Sequence, residues 1–175
     1  VFERVKGTKR PTVVHIHTEK GHGFLPAVEN KEAWHWGLPF CKEDGSRPQT
    51  PAGESFEELF SNWMLREMKR DKTLIAVTAG TPAAGGFTPE KRKEAGEQHI
   101  DMGIAEEQAV AMISGMAKGG LRPVWTVYST FIQRTYDQIA QDLCINSNPA
   151  VINVVYGGAG TMNDITHICL FDIPM

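Results

Sequence analysis

The chain has 175 residues, of which 41% are hydrophobic and 22% charged, and its formal net charge is −3. These values are typical of about one globular domain and exclude disorder, collagen-like repeats or a coiled coil as global descriptions. The small net charge predicts no nucleic-acid partner, and the strand-sized apolar runs predict no membrane-spanning helix. The three scattered cysteines are too few for a disulfide scaffold or a zinc cluster and indicate a reducing cytoplasm; they are Cys41, Cys144 and Cys169.

Both ends of the chain lie in unusual contexts. It begins at Val1 without an initiator Met, and it ends at Pro174-Met175 directly after an apolar stretch. We therefore expect the chain to be part of a larger protein or one half of a split one.

The first third of the chain predicts the end of one domain followed by a linker. Residues 11–18 form a β-branched run of strand length, and residues 1–25 are predicted to close off a preceding domain. Periodicity then disappears while Pro, Gly and polar residues accumulate. Because so long an unstructured connection is uncommon inside a compact domain, we predict an interdomain linker over residues 26–54.

From residue 55 to the end, residue 175, helices and strands are predicted to alternate in one domain. Ser55 and Glu58 form a capping box before a helix that ends near Arg70. Further helices are predicted over residues 105–118 and 131–144, and strands over residues 74–78, 99–102, 123–128 and 150–156.

Near-continuous apolar strands alternating with helices predict an α/β fold with a parallel sheet flanked by helices. Ligands of such sheets bind outside the carboxyl ends of the strands. The useful residues are therefore expected within residues 103–106, 128–134 and 157–167.

Two of these segments admit a structural and a functional interpretation. Glu106 and its neighbour Glu107 start a helix, where the helix dipole favours acidic residues whatever their function; Glu106 is also the carboxylate nearest the expected binding edge. Phe131 and Arg134 follow the third strand. In the structural interpretation, Phe131 is a core side chain and Arg134 is a solvated cation. In the functional one, the Phe131 ring stacks on a planar ligand and Arg134 places a charge beside it.

The two segments together resemble the 1-deoxy-D-xylulose-5-phosphate synthase family, thiamin-diphosphate enzymes of the transketolase superfamily. They read Asp-Met-Gly-Ile-Ala-Glu-Glu-Gln from Asp101 and Val-Tyr-Ser-Thr-Phe-Ile-Gln-Arg from Val127. Residues 18–24 (Thr-Glu-Lys-Gly-His-Gly-Phe) and the pair Trp34-His35 are also similar to the end of this family's first domain. The resemblance keeps the same order over residues 13–167.

This resemblance implies that the chain is an incomplete, C-terminally truncated pyrimidine-binding domain. The implied enzyme is a transferase of isoprenoid biosynthesis that decarboxylates pyruvate and joins the product to an aldehyde such as glyceraldehyde 3-phosphate. Glu106 matches the glutamate that sets the tautomer of the cofactor's pyrimidine ring, and burial at an apolar junction favours the neutral acid this role needs. The other implied residues are the cofactor contacts Phe24, Ile104 and Phe131, the catalytic His35 and His167, and the substrate contacts Tyr128, Arg134 and Asn163.

The family's diphosphate and Mg²⁺ site is not expected in this chain. In the family, a Gly-Asp-Gly motif and a downstream Asn hold these groups, and the chain contains no such motif. We therefore expect the metal ligands to lie outside the chain, which alone should not bind the cofactor productively. The expected partners are small-molecule substrates and the rest of its own enzyme or a complementary chain, in a cytoplasmic homodimer without nucleic acid or membrane.

Three positions depart from the family pattern. Gln108 stands where the family usually has His, Tyr156 where it has an Arg that meets a substrate phosphate, and Asn163 where it has Asp. A phenol cannot supply the bidentate contacts of a guanidinium. The sequence thus predicts a divergent member of the family and leaves a different acceptor open.

Two other classes of function remain as alternatives. His15 and His17 lie at i and i+2 of the first predicted strand, which places both imidazoles on one face, as in a zinc-dependent hydrolase. The chain could also be a non-catalytic half or degraded fragment that docks on a partner chain, because an unfinished parallel sheet leaves an open edge.

Overall fold

The computed structural model describes residues 1–35, 39–48, 53–158 and 166–167. The chain divides into two compact units, Val1–Ala52 and Gly53–Met175. No helix in the described residues is long and apolar enough to cross a membrane.

The first unit contains two short helices, α1 (Phe2–Val5) and α2 (Leu25–Glu29). Its most compact feature is an aromatic cluster of Phe24, Trp34 and Phe40, whose ring centroids lie 4.8–5.4 Å apart. Aromatic pairs at this spacing stabilise each other by edge-to-face contact.

The strand predicted over residues 11–18 is wrong. These residues have no regular secondary structure. A β-branched run forms a strand only when a neighbouring strand accepts its backbone hydrogen bonds, and the described part of the first unit contains no strand to pair with it.

The second unit contains the parallel α/β sheet. Its four strands are β1 (Leu74–Thr78), β2 (His99–Asp101), β3 (Arg122–Tyr128) and β4 (Val151–Val155). They pair in the order β2-β1-β3-β4, and every pairing is parallel. The predicted fold class is confirmed.

Helices pack on both faces of the sheet at β1 and β3, whose side chains alternate between the two faces. Within the described residues, three α-helices of this unit are longer than one turn: α3 (Phe56–Arg70), α4 (Pro89–Ala95) and α5 (Glu106–Lys118). On one face, Ile75, Val77 and Trp125 pack against α5. On the other face, Leu74, Ala76 and Val124 pack against the buried methionine and leucine side chains of α3.

The first helix of this unit begins where the sequence predicts. The Ser55 hydroxyl accepts a hydrogen bond from the Glu58 backbone N–H at 3.1 Å, which caps α3. Short 3₁₀ turns at Pro82–Gly85 and Gly96–Gln98 flank α4.

The single helix predicted over residues 131–144 is in fact broken. The chain forms α6 (Ser129–Ile132), a 3₁₀ turn, α7 (Tyr136–Gln138) and a π-helix (Ile139–Ile145). The fully buried Thr135 hydroxyl donates to the Ile132 carbonyl oxygen at 2.7 Å. This side-chain bond competes with the helical ladder and explains the change of helix type.

Candidate functional site

The candidate site lies at the carboxyl edge of the sheet, where the chain leaves its strands through glycine turns. After β1 the chain turns at Gly80 (φ +76°), and after β2 it turns at Gly103 (φ +67°). The Asp101 carboxylate joins the two turns, because one oxygen accepts from the Gly80 N–H at 2.8 Å and from the Gly103 N–H at 2.9 Å. This contact fixes the approach of the chain to the first residue of α5.

Glu106 is that first residue, and its side chain is buried with only 2% of its surface exposed. The carboxyl oxygen Oε2 has no hydrogen-bond partner among the described residues. Buried carboxyl oxygens are seldom left without a partner, because their desolvation is costly. Such an atom marks a place where a ligand donor or acceptor fits.

Arg134 is the charged group that faces this oxygen. Its Nη1 lies 3.4 Å from Oε2 of Glu106, an ion pair outside hydrogen-bond geometry, and its Nε lies 3.7 Å from Oε1 of Glu107. Arg134 is about half exposed, whereas Glu106 is buried. One guanidinium therefore forms ion pairs with two carboxylates at the start of α5.

An aromatic cluster lines the ends of β3 and β4; we call it the aromatic corner, and it consists of Tyr128, Phe131, Tyr156 and His167. The Tyr128 and Tyr156 rings stack at 5.0 Å between centroids. Phe131 meets Tyr128 edge-on at 5.8 Å and His167 edge-on at 4.9 Å. The predicted Tyr128, Phe131 and His167 thus lie together.

Tyr156 is held in an unusual backbone conformation directly after β4. Its φ is +57°, which costs a residue with a Cβ about 1–2 kcal/mol. The Ser129 hydroxyl donates to the Tyr156 carbonyl oxygen at 3.2 Å, and the ring stack on Tyr128 adds to this contact. These contacts offset the strain and fix the direction of the side chain.

The Tyr156 hydroxyl lies near the carboxylate of Glu57, on the first turn of α3. Burial, and secondarily the neighbouring Glu57 carboxylate, raises the pKa of Tyr156 well above its usual value, so the phenol stays neutral. A hydrogen bond from its own backbone N–H, and secondarily the neighbouring Tyr156 hydroxyl, lowers the pKa of Glu57. The pair therefore carries one negative charge at neutral pH.

Phe24 and His35 lie in the first unit. Phe24 packs against Trp34 and Phe40, and the His35 imidazole Nδ1 contacts the Lys20 ammonium group. Their roles as cofactor contact and catalytic group stay predictions. Ile104, in the turn before α5, is 81% exposed, so its side chain has room to contact a ligand. Asn163 lies outside the described residues.

The alternative of a metal site gains little support from the geometry. The His15 and His17 rings lie 4.2 Å apart, although the predicted strand that would place them on one face does not form. Within residues 1–35, 39–48, 53–158 and 166–167, no group of three or more His, Cys, Asp or Glu side chains could hold a metal ion.

Two residues of the site, Asp101 and Glu57, had no role in the sequence-based prediction. For Asp101 a local signal exists, since an Asp two residues before a Gly at a strand end favours a side-chain-to-backbone turn. For Glu57 no local signal exists, because its contact with Tyr156 comes from an element far away in the chain.

The fold and the site together define the class of the domain: a parallel α/β ligand-binding domain with a buried acid and an aromatic wall at the carboxyl edge of its sheet. The family model described as transketolase, pyrimidine binding domain, matches residues 54–168. The chain belongs to this family.

The most similar curated relatives share one description. The chain is 36% identical over 172 residues to the 1-deoxy-D-xylulose-5-phosphate synthase of Desulforudis audaxviator. The matched region covers 98% of the chain and 27% of that protein. It is 38% identical over 170 residues to the synthase of the same name from Heliobacterium modesticaldum, with 97% and 26% covered. The chain thus spans about a quarter of the length of these relatives, and the predicted resemblance is confirmed.

Proposed function

We propose that the protein containing this chain is a thiamin-diphosphate-dependent transferase that decarboxylates pyruvate and joins the two-carbon product to an aldehyde. The family match and the similar synthases support the reaction class. The observation that carries the proposal is Glu106, a buried carboxyl group whose Oε2 has no hydrogen-bond partner among the described residues.

The residues at this edge fit the cofactor. When bound, thiamin diphosphate supplies a centre that stabilises a carbanion beside a former keto group. Glu106 would hold the pyrimidine ring through its carboxyl group, and Phe131 would pack against the ring face. Ile104 would add an apolar contact at this edge, and Phe24, in the first unit, keeps its proposed role as a cofactor contact.

Glu106 is placed to exchange a hydrogen bond with a ring nitrogen. Its carboxyl group is shielded from water, and its Oε2 has no hydrogen-bond partner among the described residues. Arg134 is half exposed, so it can move away when a ligand group takes its place beside Oε2.

The groups proposed to face the substrates are Tyr128, His35, His167, Arg134 and Asn163. Imidazoles exchange protons near neutral pH, which suits His35 and His167 for proton transfer to a reacting oxygen or carbon. The Tyr128 ring lies 6.1 Å from that of His167, so one substrate could touch both.

Three further features belong to the proposal for the whole protein. Residues outside this chain would hold Mg²⁺, a hard cation that prefers oxygen ligands. The protein would be a homodimer and would work in the cytoplasm, where the free thiols of Cys41 and Cys144 stay reduced.

The test is turnover by the full-length protein with thiamin diphosphate, Mg²⁺, carboxyl-labelled pyruvate and an aldehyde, measured as labelled CO₂. We expect Glu106→Gln to lower kcat by about 10²- to 10⁴-fold, since it removes a positioned acid. Glu107→Gln, on the exposed neighbour, is the matched control and should change kcat by less than about threefold.

Two results would contradict the proposal. If Glu106→Gln folds normally and retains the wild-type rate, the proposed role of the acid is wrong. If the wild-type protein neither binds the cofactor nor consumes pyruvate, a non-catalytic module that docks on a partner explains the chain better.

A further inference from the structure

The start of α5 is not fixed by a side-chain cap. Its N-cap residue is Ala105, whose methyl group cannot accept a hydrogen bond from the first N–H groups of the helix. The Ala105 N–H instead donates to the Gly103 carbonyl oxygen at 2.8 Å. Because Glu106 directly follows Ala105, the position of its backbone depends on the turn at Gly103.

Asp101 fastens this turn to the neighbouring strand. Its Oδ1 accepts the N–H of Gly103 in its own turn and the N–H of Gly80 in the turn after β1. Between them, the Met102 N–H donates to the Thr78 carbonyl oxygen at 2.9 Å, which continues the pairing of β2 with β1. One carboxylate oxygen therefore links two turns that adjacent strands place side by side.

The two turns are also in close contact. A Cβ added to Gly80 would lie 3.1 Å from Cγ1 of Ile104 and 3.4 Å from the backbone carbonyl carbon of Gly103. While Asp101 holds both N–H groups, the backbone before α5 therefore has little room to shift toward β1 or away from it.

We propose that Asp101 is a positioning residue, which holds Glu106 where its carboxyl group meets the pyrimidine ring of the cofactor. The inference rests on the proposed function, because that function assigns the ring contact to Glu106. Asp101 acts through hydrogen bonds from two backbone N–H groups, so its acceptor oxygen matters and its charge does not. The effect is large because a displacement of about 1 Å at a reacting group lowers a rate by about 10²-fold.

The experiment measures the Kd of the full-length protein for thiamin diphosphate by titration calorimetry with Mg²⁺ present, and the kinetics of pyruvate consumption. Asp101→Ala should raise the Kd about tenfold and lower kcat about 10- to 100-fold, with the KM for pyruvate changed by less than about threefold. Asp101→Asn keeps Oδ1 as an acceptor for both N–H groups and should restore the Kd and kcat to within about threefold of the wild type.

Asp71→Ala is the matched control for a loss of stability alone. The Asp71 carboxylate also accepts a backbone N–H in a turn, that of Thr73 at 2.8 Å, and pairs with Arg122 at 2.8 Å. Its turn precedes β1, at the amino end of the sheet. Its loss should lower the urea midpoint about as much as the loss of Asp101, while the Kd and kcat stay unchanged.

A double-variant cycle tests whether Asp101 acts through Glu106. In the Glu106→Gln background, Asp101→Ala should lower kcat further by less than about threefold, because the acid that it positions is already absent. If the two effects multiply in full, Asp101 acts by another route and the inference is overturned.

If Asp101→Ala does not fold, Gly103→Ala tests the same turn. Its added Cβ meets no atom within 4 Å, but a φ of +67° is unfavourable for alanine, so the Kd should rise about threefold or more. If the wild type binds the cofactor and the variants of this turn bind it equally well, the inference is overturned and the proposed function stands. If the wild type neither binds the cofactor nor consumes pyruvate, the proposed function is wrong and the inference fails with it.

Discussion

The two halves of the carboxyl edge of the sheet are held together by different kinds of contact. At the ends of β1 and β2, backbone N–H groups converge on Asp101, and the buried Glu106 begins α5. At the ends of β3 and β4, the four rings of the aromatic corner pack against one another, with one stacked pair and edge-on contacts. The first half is thus organised by polar contacts and the second by ring contacts.

One sheet edge therefore carries two local environments. At Glu106 a buried carboxyl group faces a half-exposed guanidinium, whereas at Tyr128 the contacts are between aromatic rings. A ligand that spans the edge would meet an acid at one end and apolar ring faces at the other.

The largest effect in the second half is expected from Gly86→Ala. The new Cβ would lie 2.0 Å from the Glu57 carbonyl oxygen, at a residue with φ +71°, so either α3 or the turn must move. We expect a loss of about 3 kcal/mol in the free energy of unfolding, measured by urea denaturation.

Gly115→Ala is the control for that experiment. Gly115 lies inside α5 with nothing within 4 Å of the added Cβ, so this variant should be stabilised by about 0.5–1 kcal/mol. Equal stabilities for the two variants would mean that the close approach of Gly86 to α3 is not present in solution.

A smaller effect is expected in the first half from Asp101→Ala. The change removes the acceptor of two backbone N–H groups, at Gly80 and Gly103, in a partly solvated turn. We expect about 1–2 kcal/mol of destabilisation in the same urea assay. Asp101→Asn keeps one acceptor oxygen and should lose less than half as much; an equal loss would show that the charge, not the geometry, holds the turns.

The smallest effect is the alkaline pH dependence of the second half. The raised pKa of Tyr156 means that above pH 10 the unfolded chain releases the phenolic proton while the folded chain retains it. The folded state then binds more protons, so stability falls as pH rises above 10. We expect Tyr156→Phe to flatten this part of the stability curve, measured by thermal unfolding between pH 8 and about pH 11.

Tyr136→Phe is the control, because Tyr136 is 67% exposed. Its curve should follow the wild type. An alkaline slope that persists in Tyr156→Phe would show that Tyr156 is not the group responsible for it.

Local patterns predicted the framework of the second unit well. The apolar runs of β1 and β3 and the capped helix that starts after Ser55 lie where periodicity and capping predict them. The position of Glu106 at a helix start also follows from local signals. These features depend on neighbours within a few residues, which is why the sequence suffices for them.

Pairing and burial, which local patterns do not show, decided the rest. Residues 11–18 carry a strand pattern but have no partner strand in the described part of their unit. The helix after β3 changes type because the buried Thr135 hydroxyl donates a hydrogen bond to the Ile132 carbonyl oxygen.

The sequence alone determined the fold class, the family and the acid at the binding edge, because periodicity and ordered motifs are properties of the chain itself. Only the tertiary structure paired Tyr156 with Glu57 and Asp101 with Gly80. Those pairs form when separate elements of the sheet and its helices pack together, and their charge balance exists only once the chain has folded.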